Sequence, residues 1–396
     1  MQSGQPDVRS APRNRHSALA VAALFFVNGA TFSNWLPRLP EIRDQLGVGN
    51  AGLGATLLGG GLGGIVGSLV VAKAVGVLGS RRLVVIAATV LSLGMPLIAF
   101  VHAAPLLLLL LTALGMIDVF NDVAMNAQGV TVQQQIGRSI MNRLHGMWSL
   151  GFTGGAVLGS VASAAQIDIR VHLAAVGIVL LATVMVVRRW LVPVDPPAEV
   201  APDRELRAPR RFATSPAMVA MAFAAMAAVA LEVLPNDWAA LLLRDVFDAG
   251  RFSGVGTVAC AGAMLVGRLS GDHVLQLVGE RRLLTGALRL CLVGAVITIV
   301  APVSAIALLG LVVWGLGLSV VFPQLYATAA RLPGTSAGAG LGSMLLGQRL
   351  GAMLTAVCTG ALAQWKDLRV AFAVVAAVAF IVLAVTLRRA QTAQAK

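Results

Sequence analysis

Charge is scarce in this chain. Only 12% of its 396 residues are Asp, Glu, Lys or Arg, against 58% hydrophobic, and the mean hydropathy of +0.85 is beyond what soluble domains of this size reach. Cysteine, histidine and tyrosine are nearly as rare. Cys260, Cys291 and Cys358 stand in apolar segments without CxxC or Cys/His spacing, which argues against a disulfide framework or a metal site. The five histidines, at 16, 102, 145, 172 and 273, form no cluster with Asp or Ser at one interface, so nothing points to a membrane enzyme or a bound cofactor. The net charge of +13 is spread in short clusters between apolar runs, with no aromatic-interleaved basic face, and nucleic acid is not indicated as a partner. What remains is a polytopic membrane protein whose solvent is the lipid bilayer.

Twelve apolar windows of about 20 residues fall near 17–37, 51–75, 83–103, 105–133, 139–164, 170–190, 216–243, 253–277, 282–301, 303–330, 335–364 and 369–387. Arg9, Arg13 and Arg15 before the first window imitate a signal peptide, but the run is long enough to span, so an uncleaved first helix is expected. Lys and Arg crowd into the N-terminal tail, the 76–82 turn, Arg138, the 188–211 connector, the Arg281/Arg282 turn, Arg331 and Arg388/Arg389. Alternate loops hold few, mainly Arg38, Arg43, Arg170, Arg244, Arg251, Lys366 and Arg369. This bias predicts that both termini are cytoplasmic, in a bacterial inner membrane. The proline-rich stretch from Val192 to Ser215 has no apolar periodicity and separates six spans from six. The expected organisation is therefore a tail (1–16), a six-helix bundle (17–190), a linker (191–215), a second bundle (216–389) and a short tail (390–396).

The fourth window breaks the apolar rule. After Leu106 to Thr112 it carries Asp118 and Asp122, and an ionised Asp at a helix centre costs about 2.5 to 3.5 kcal/mol on insertion scales. Asp118, Asp122 and Asn126 recur at i, i+4 and i+8, so they share one helix face and that face has to meet a polar interior. Such acids mark water-filled paths or proton relays, or ion pairs that only hold helices together.

An internal repeat supports the two-bundle division. Gly67 to Arg82 aligns without a gap on Gly267 to Arg282, pairing Gly67 with Gly267, Gly79 with Gly279 and Arg81/Arg82 with Arg281/Arg282. Parallel six-span repeats are a common plan of secondary transporters, with the site between halves near the midplane.

With that loop repeated, the chain resembles the major facilitator superfamily over essentially its whole length. The signature Gly-x-x-x-Asp-Arg/Lys-x-Gly-x-Arg-Arg is partly kept: Ala72 replaces the acid in the first half, where Lys73, Gly79, Arg81 and Arg82 remain. The second half has Gly267, Arg268, Gly271, Asp272, Gly279, Arg281 and Arg282, in a longer loop. Asn34 to Val48, Asp122 to Gly129, His145 to Gly151 and Asn236 to Asp245 look like the YbjJ-like branch of bacterial inner-membrane proteins, distantly like fucose permeases. The resemblance implies two pseudo-symmetric six-helix bundles, twelve helices in all, with spans 1, 4, 7 and 10 lining a central cavity.

On those spans the substrate-binding candidates are Asn28, Asn34, Trp35, Asn126, Asn236, Asp237, Trp238, Gln324 and Tyr326, with His145, Trp148, Gln348 and Arg349 added from spans 5 and 11. Asp118, Asp122 and Glu232 are the candidates for proton coupling, since a carboxylate in a low-dielectric cavity changes protonation with its surroundings. Pro323 predicts a kink in span 10. Lys73, Arg81, Arg82, Arg268, Asp272, Arg281 and Arg282 are the expected cytoplasmic gate, which the resemblance implies latches the halves together. The expectation is a monomeric transporter moving a small polar or amphipathic solute with protons. An antiport exporter, a facilitative uniporter and a non-transporting solute sensor stay open as alternatives.

Overall fold

The structure is a computed structural model, and it describes residues 10–193, 216–330 and 337–394. These residues form helices and no strand, as a chain in hydrocarbon requires, because a helix satisfies its own backbone hydrogen bonds. In order the helices are α1 (Ser10–Ser33), α2 (Leu39–Leu46), α3 (Asn50–Gly94), α4 (Ala104–Ile136), α5 (Met141–Ala164), α6 (Ile169–Val187), α7 (Pro216–Phe247), α8 (Val255–Val278), α9 (Glu280–Val300), α10 (Ser304–Leu318), α11 (Val321–Ala330), α12 (Ala337–Trp365) and α13 (Leu368–Gln394). Ten stretches are long and apolar enough to cross a membrane. One of them, α3 with the turn after it, runs 51 residues and supplies two spans, because its backbone leaves helical geometry at Gly79. Adding α5, whose Gly, Ser and Thr lower its apolarity, gives the twelve expected. The 191–215 linker lies largely outside the described residues.

Repeat and dihedrals agree. Gly79 has φ 70° and ψ 158°, and Gly279 has φ 79° and ψ 161°, so the two equivalent turns bend through the same left-handed conformation. That conformation is open to glycine at little cost. The tenth span is broken as Pro323 predicts, but four residues earlier: α10 ends at Leu318 and α11 begins at Val321, because a proline ring clashes with the carbonyl of residue i−4, here Ser319.

Helices approach closely where glycine permits. A Cβ on Gly151 of α5 would stand 2.1 Å from the Phe26 carbonyl oxygen of α1, and one on Gly347 of α12 would stand 2.0 Å from that of Ala222 on α7. In lipid, where apolar burial between helices gives little net attraction, such backbone proximity is what holds spans together. The two contacts join corresponding helices of the two halves. Between the halves, α3 packs on α12 and α5 on α8, which leaves a groove bordered by α1, α4, α7 and α8.

Candidate functional site

A cavity of about 420 Å³ occupies that groove. Its wall combines side chains from α1, α3, α4, α5, α7, α8 and α12, so neither half forms it alone. Most of the lining is apolar and aromatic, including Phe32, Trp35, Trp148 and Phe152, and the charged groups on it are Asp118, Glu232, Asp237, Arg268 and Arg349.

On the first half a short chain of hydrogen bonds presents the acid. Asn28 donates from Nδ2 to Asp118 Oδ1 at 3.0 Å and accepts at Oδ1 from the Trp148 indole N–H at 2.7 Å. Asn28 is thereby fixed in orientation, and it fixes both neighbours. Trp148 also stacks on Phe152, with ring centroids 5.3 Å apart. From the second half Arg349 lies within electrostatic reach of Asp118 and Asp122. Its guanidinium runs along α3, where a Cβ on Gly64 would come within 2.8 Å of it.

The second half presents its own charges one turn apart. Glu232 and Asn236 are i and i+4 on α7, and Asp237 follows, so all three meet the cavity. Arg268 reaches from α8 to Glu232 at 3.4 Å and to Ser149 Oγ of α5 at 2.9 Å, tying the halves at cavity level. Arg268 was expected at the cytoplasmic gate; it lies instead well inside α8, ten residues before the helix ends, with its side chain in the cavity. Lys73, Arg82, Arg281 and Arg282 are exposed at the turns and Arg81 is half-buried there, while the side chain of Asp272 lies outside the described residues.

The other candidates divide by helical phase. Trp35, Trp148, Asn236, Asp237 and Arg349 line the cavity with Asp118 and Glu232. Asp122 and Asn126 stand further along α4, where Asn126 Nδ2 bonds Asp122 Oδ1 at 3.1 Å; Tyr326 donates to Gln348 Oε1 at 3.3 Å nearby, within electrostatic reach of Asp122. These four border the same groove on its open side. Trp238 is fully buried in the helix core, not in the cavity: one residue past Asp237 rotates a side chain by about 100°. Asn34 is buried between α1 and α5 and donates to the Ala30 carbonyl at 2.6 Å. Gln324 is buried, and His145 packs edge-on against Phe25 at 5.3 Å; neither touches the cavity.

One end of the groove is shut by a device that the site list above lacks. Arg43, at the end of α2, grips Asp245 through both terminal nitrogens, and Arg244 grips Asp44 at 2.6 and 3.0 Å. An Arg-Asp dipeptide of one half thus exchanges partners with the Arg-Asp dipeptide 201 positions later. Arg251 adds a bond to Gln166 at 3.3 Å. Among the described residues the ion pairs that join the halves lie only at this end. The signal was present in sequence, because both dipeptides fall within the stretches Asn34 to Val48 and Asn236 to Asp245.

Comparison with known proteins now decides the family. The Major Facilitator Superfamily model matches residues 21–345. The chain belongs to the major facilitator superfamily. Among this transporter's relatives, an uncharacterized MFS-type transporter of Yersinia pestis is 28% identical over 364 residues, covering 89% of this chain and 90% of the relative. Membrane protein MosC of Rhizobium meliloti is 26% identical over 338 residues, covering 84% and 80%. Two solved structures share the fold. The nucleoside transporter NupG superposes with a TM-score of 0.77 at 14% identity, covering 94% of this chain and 99% of that one. A bacterial homolog of the human lysosomal transporter Spinster superposes with a TM-score of 0.73 at 13% identity, covering 97% and 98%. The protein is a multi-pass membrane transporter and not an enzyme.

Proposed function

We propose that this transporter moves a small polar or amphipathic solute by alternating access, with protons carried on Asp118, Asp122 and Glu232. The observation that carries the reading is the cavity between the halves, which holds membrane-embedded acids and is closed at one end by the paired Arg-Asp dipeptides. A rigid pair of bundles that rock about a central site needs such a closure on one side at a time. With the basic loops cytoplasmic by the positive-inside bias, both termini lie inside the cell, the protein acts as a monomer in the inner membrane, and the clasped end is the outer one. The groove then opens inward.

Asp118 is the better placed of the two α4 acids, since it lines the cavity itself and faces Arg349. A carboxylate whose guanidinium partner sits on the other half changes surroundings whenever the halves move, and that couples protonation to conformation. The test is uptake into proteoliposomes across a metabolite panel, with and without a pH gradient. Asp118→Asn is expected to abolish gradient-driven accumulation while solute exchange persists. Wild-type accumulation indifferent to the gradient defeats proton coupling, and accumulation that needs the opposite gradient makes the protein an exporter.

A further inference from the structure

We infer that the solute is a cation, a protonated amine, and that Asp237 is its counter-ion. The inference rests on the cavity being the transport site and goes beyond it by naming what the site selects.

The charges on the cavity wall do not cancel. Glu232 is held by Arg268, and Asp118 accepts from Asn28 and faces Arg349. Asp237 is different. Among the described residues it takes part in no hydrogen bond or ion pair, and the charge that acts on it most is the like charge of Glu232 one turn earlier. Next to it Asn236, only 6% exposed, carries a buried Oδ1 without a donor. Two neighbouring acceptors therefore face the cavity with no N–H to satisfy them, and an ammonium brings donors and charge together.

An anionic solute fits less well. The two guanidinium groups it would need, Arg268 and Arg349, already face carboxylates, so its entry would leave Glu232 or Asp118 exposed to a second negative charge. A neutral solute leaves Asp237 without a partner in a largely apolar wall. The faces of Phe32, Trp35, Trp148 and Phe152 on the same wall favour a cation further, because aromatic rings attract positive charge.

The experiment uses the full chain in detergent and two triplets of probes matched in shape but not in charge: 2-phenylethylamine, 2-phenylethanol and phenylacetate, and glucosamine, glucose and glucuronate. Binding is read as a saturable rise in unfolding temperature and as a change in tryptophan fluorescence. At least one amine is expected to bind where its neutral and anionic partners do not. Asp237→Asn is expected to weaken that binding about tenfold or more, as losing a charge-assisted hydrogen bond does, with unfolding temperature in the absence of probe unchanged; Asp237→Glu keeps most of the affinity. Equal binding of the neutral or anionic partner, no binding by either amine, or amine binding untouched in Asp237→Asn overturns the assignment. Uptake of a neutral or anionic solute into proteoliposomes likewise overturns it while sparing the transport reading. Amine binding without uptake supports the assignment and counts against transport.

Discussion

Arg43 and Asp245, one on each half of the molecule, are joined by both terminal guanidinium nitrogens, and Arg244 and Asp44 repeat the arrangement in reverse. The four side chains form a pseudo-twofold clasp, each Arg-Asp dipeptide lending its cation and its anion to the other. Partly exposed pairs of this kind are worth about 0.2 to 1 kcal/mol each. The clasp therefore biases a conformational equilibrium without freezing it.

Neutralising both acids, Asp44→Asn with Asp245→Asn, is expected to shift the population toward the state open at the clasped end by roughly 2- to 30-fold. Spin labels at Ala165 and Asp248, in a Cys358→Ser background, report the separation of the two halves there. Exchanging Arg43 and Asp245 for one another is expected to restore the short distance. A distance distribution unmoved by the double neutralisation would show that the clasp carries no conformational energy.

Asn28 deserves its own test because it satisfies two partners at once. Asn28→Ala removes the donor to Asp118 and the acceptor for the Trp148 indole, and each group left unmade in a half-buried site costs about 1 to 3 kcal/mol. The expected result is a lower unfolding temperature together with weaker uptake. A variant as stable as the wild type, with unchanged uptake, would mean that water replaces the amide at both positions.

How far the sequence anticipated this site depends on what fixes each side chain. Asp118 and Glu232 were legible because an acid in an apolar run has few places to go. Trp238 was misplaced for a geometric reason: it is adjacent in sequence to Asp237, and adjacency on a helix means divergent faces. Its position was recoverable from the i, i+4 spacing of Glu232 and Asn236, which sets the cavity face and excludes residue 238. Arg268 was read with the loop because the family signature extends into it, whereas α8 continues to Val278 and carries it to cavity level. The clasp was harder to see. It needs two loops from different halves to meet, and only the recurrence of Arg-Asp at matching places in the two repeats hints at it. Phe152 and Ser149 carry no signal of their own, since aromatic and small residues fill every span.

The glycine contacts predict stability rather than transport. Gly151→Ala places a methyl group 2.1 Å from the Phe26 carbonyl oxygen, and Gly347→Ala does the same at 2.0 Å from that of Ala222. Neither backbone can yield without moving a whole span, so each variant is expected to lose about 1 to 3 kcal/mol or more. Gly146→Ala, on the same helix as Gly151 with nothing within 4 Å of the new carbon, serves as control and is expected to melt like the wild type. Thermal unfolding followed by size-exclusion chromatography reads the difference. Equal behaviour of the Gly146 and Gly151 variants would mean that α1 and α5 are less closely packed than described.

Arg349 provides the test of charge pairing across the groove. It belongs to the second half, yet the acids it faces, Asp118 and Asp122, belong to the first, and its guanidinium is held against α3 at Gly64. Removing it in Arg349→Ala leaves two acids on one helix face with no facing cation, and gradient-driven uptake is expected to fall about tenfold or more. Arg349→Lys keeps the charge but loses the planar fork, so an intermediate rate is expected. Gly64→Ala changes no charge at all. It pushes the guanidinium aside, because the new carbon would lie 2.8 Å from Nη1, and is expected to mimic the lysine variant. If uptake and its gradient dependence survive Arg349→Ala intact, the pairing across the groove has no part in coupling, and the proton-carrying role moves to Glu232 with its partner Arg268.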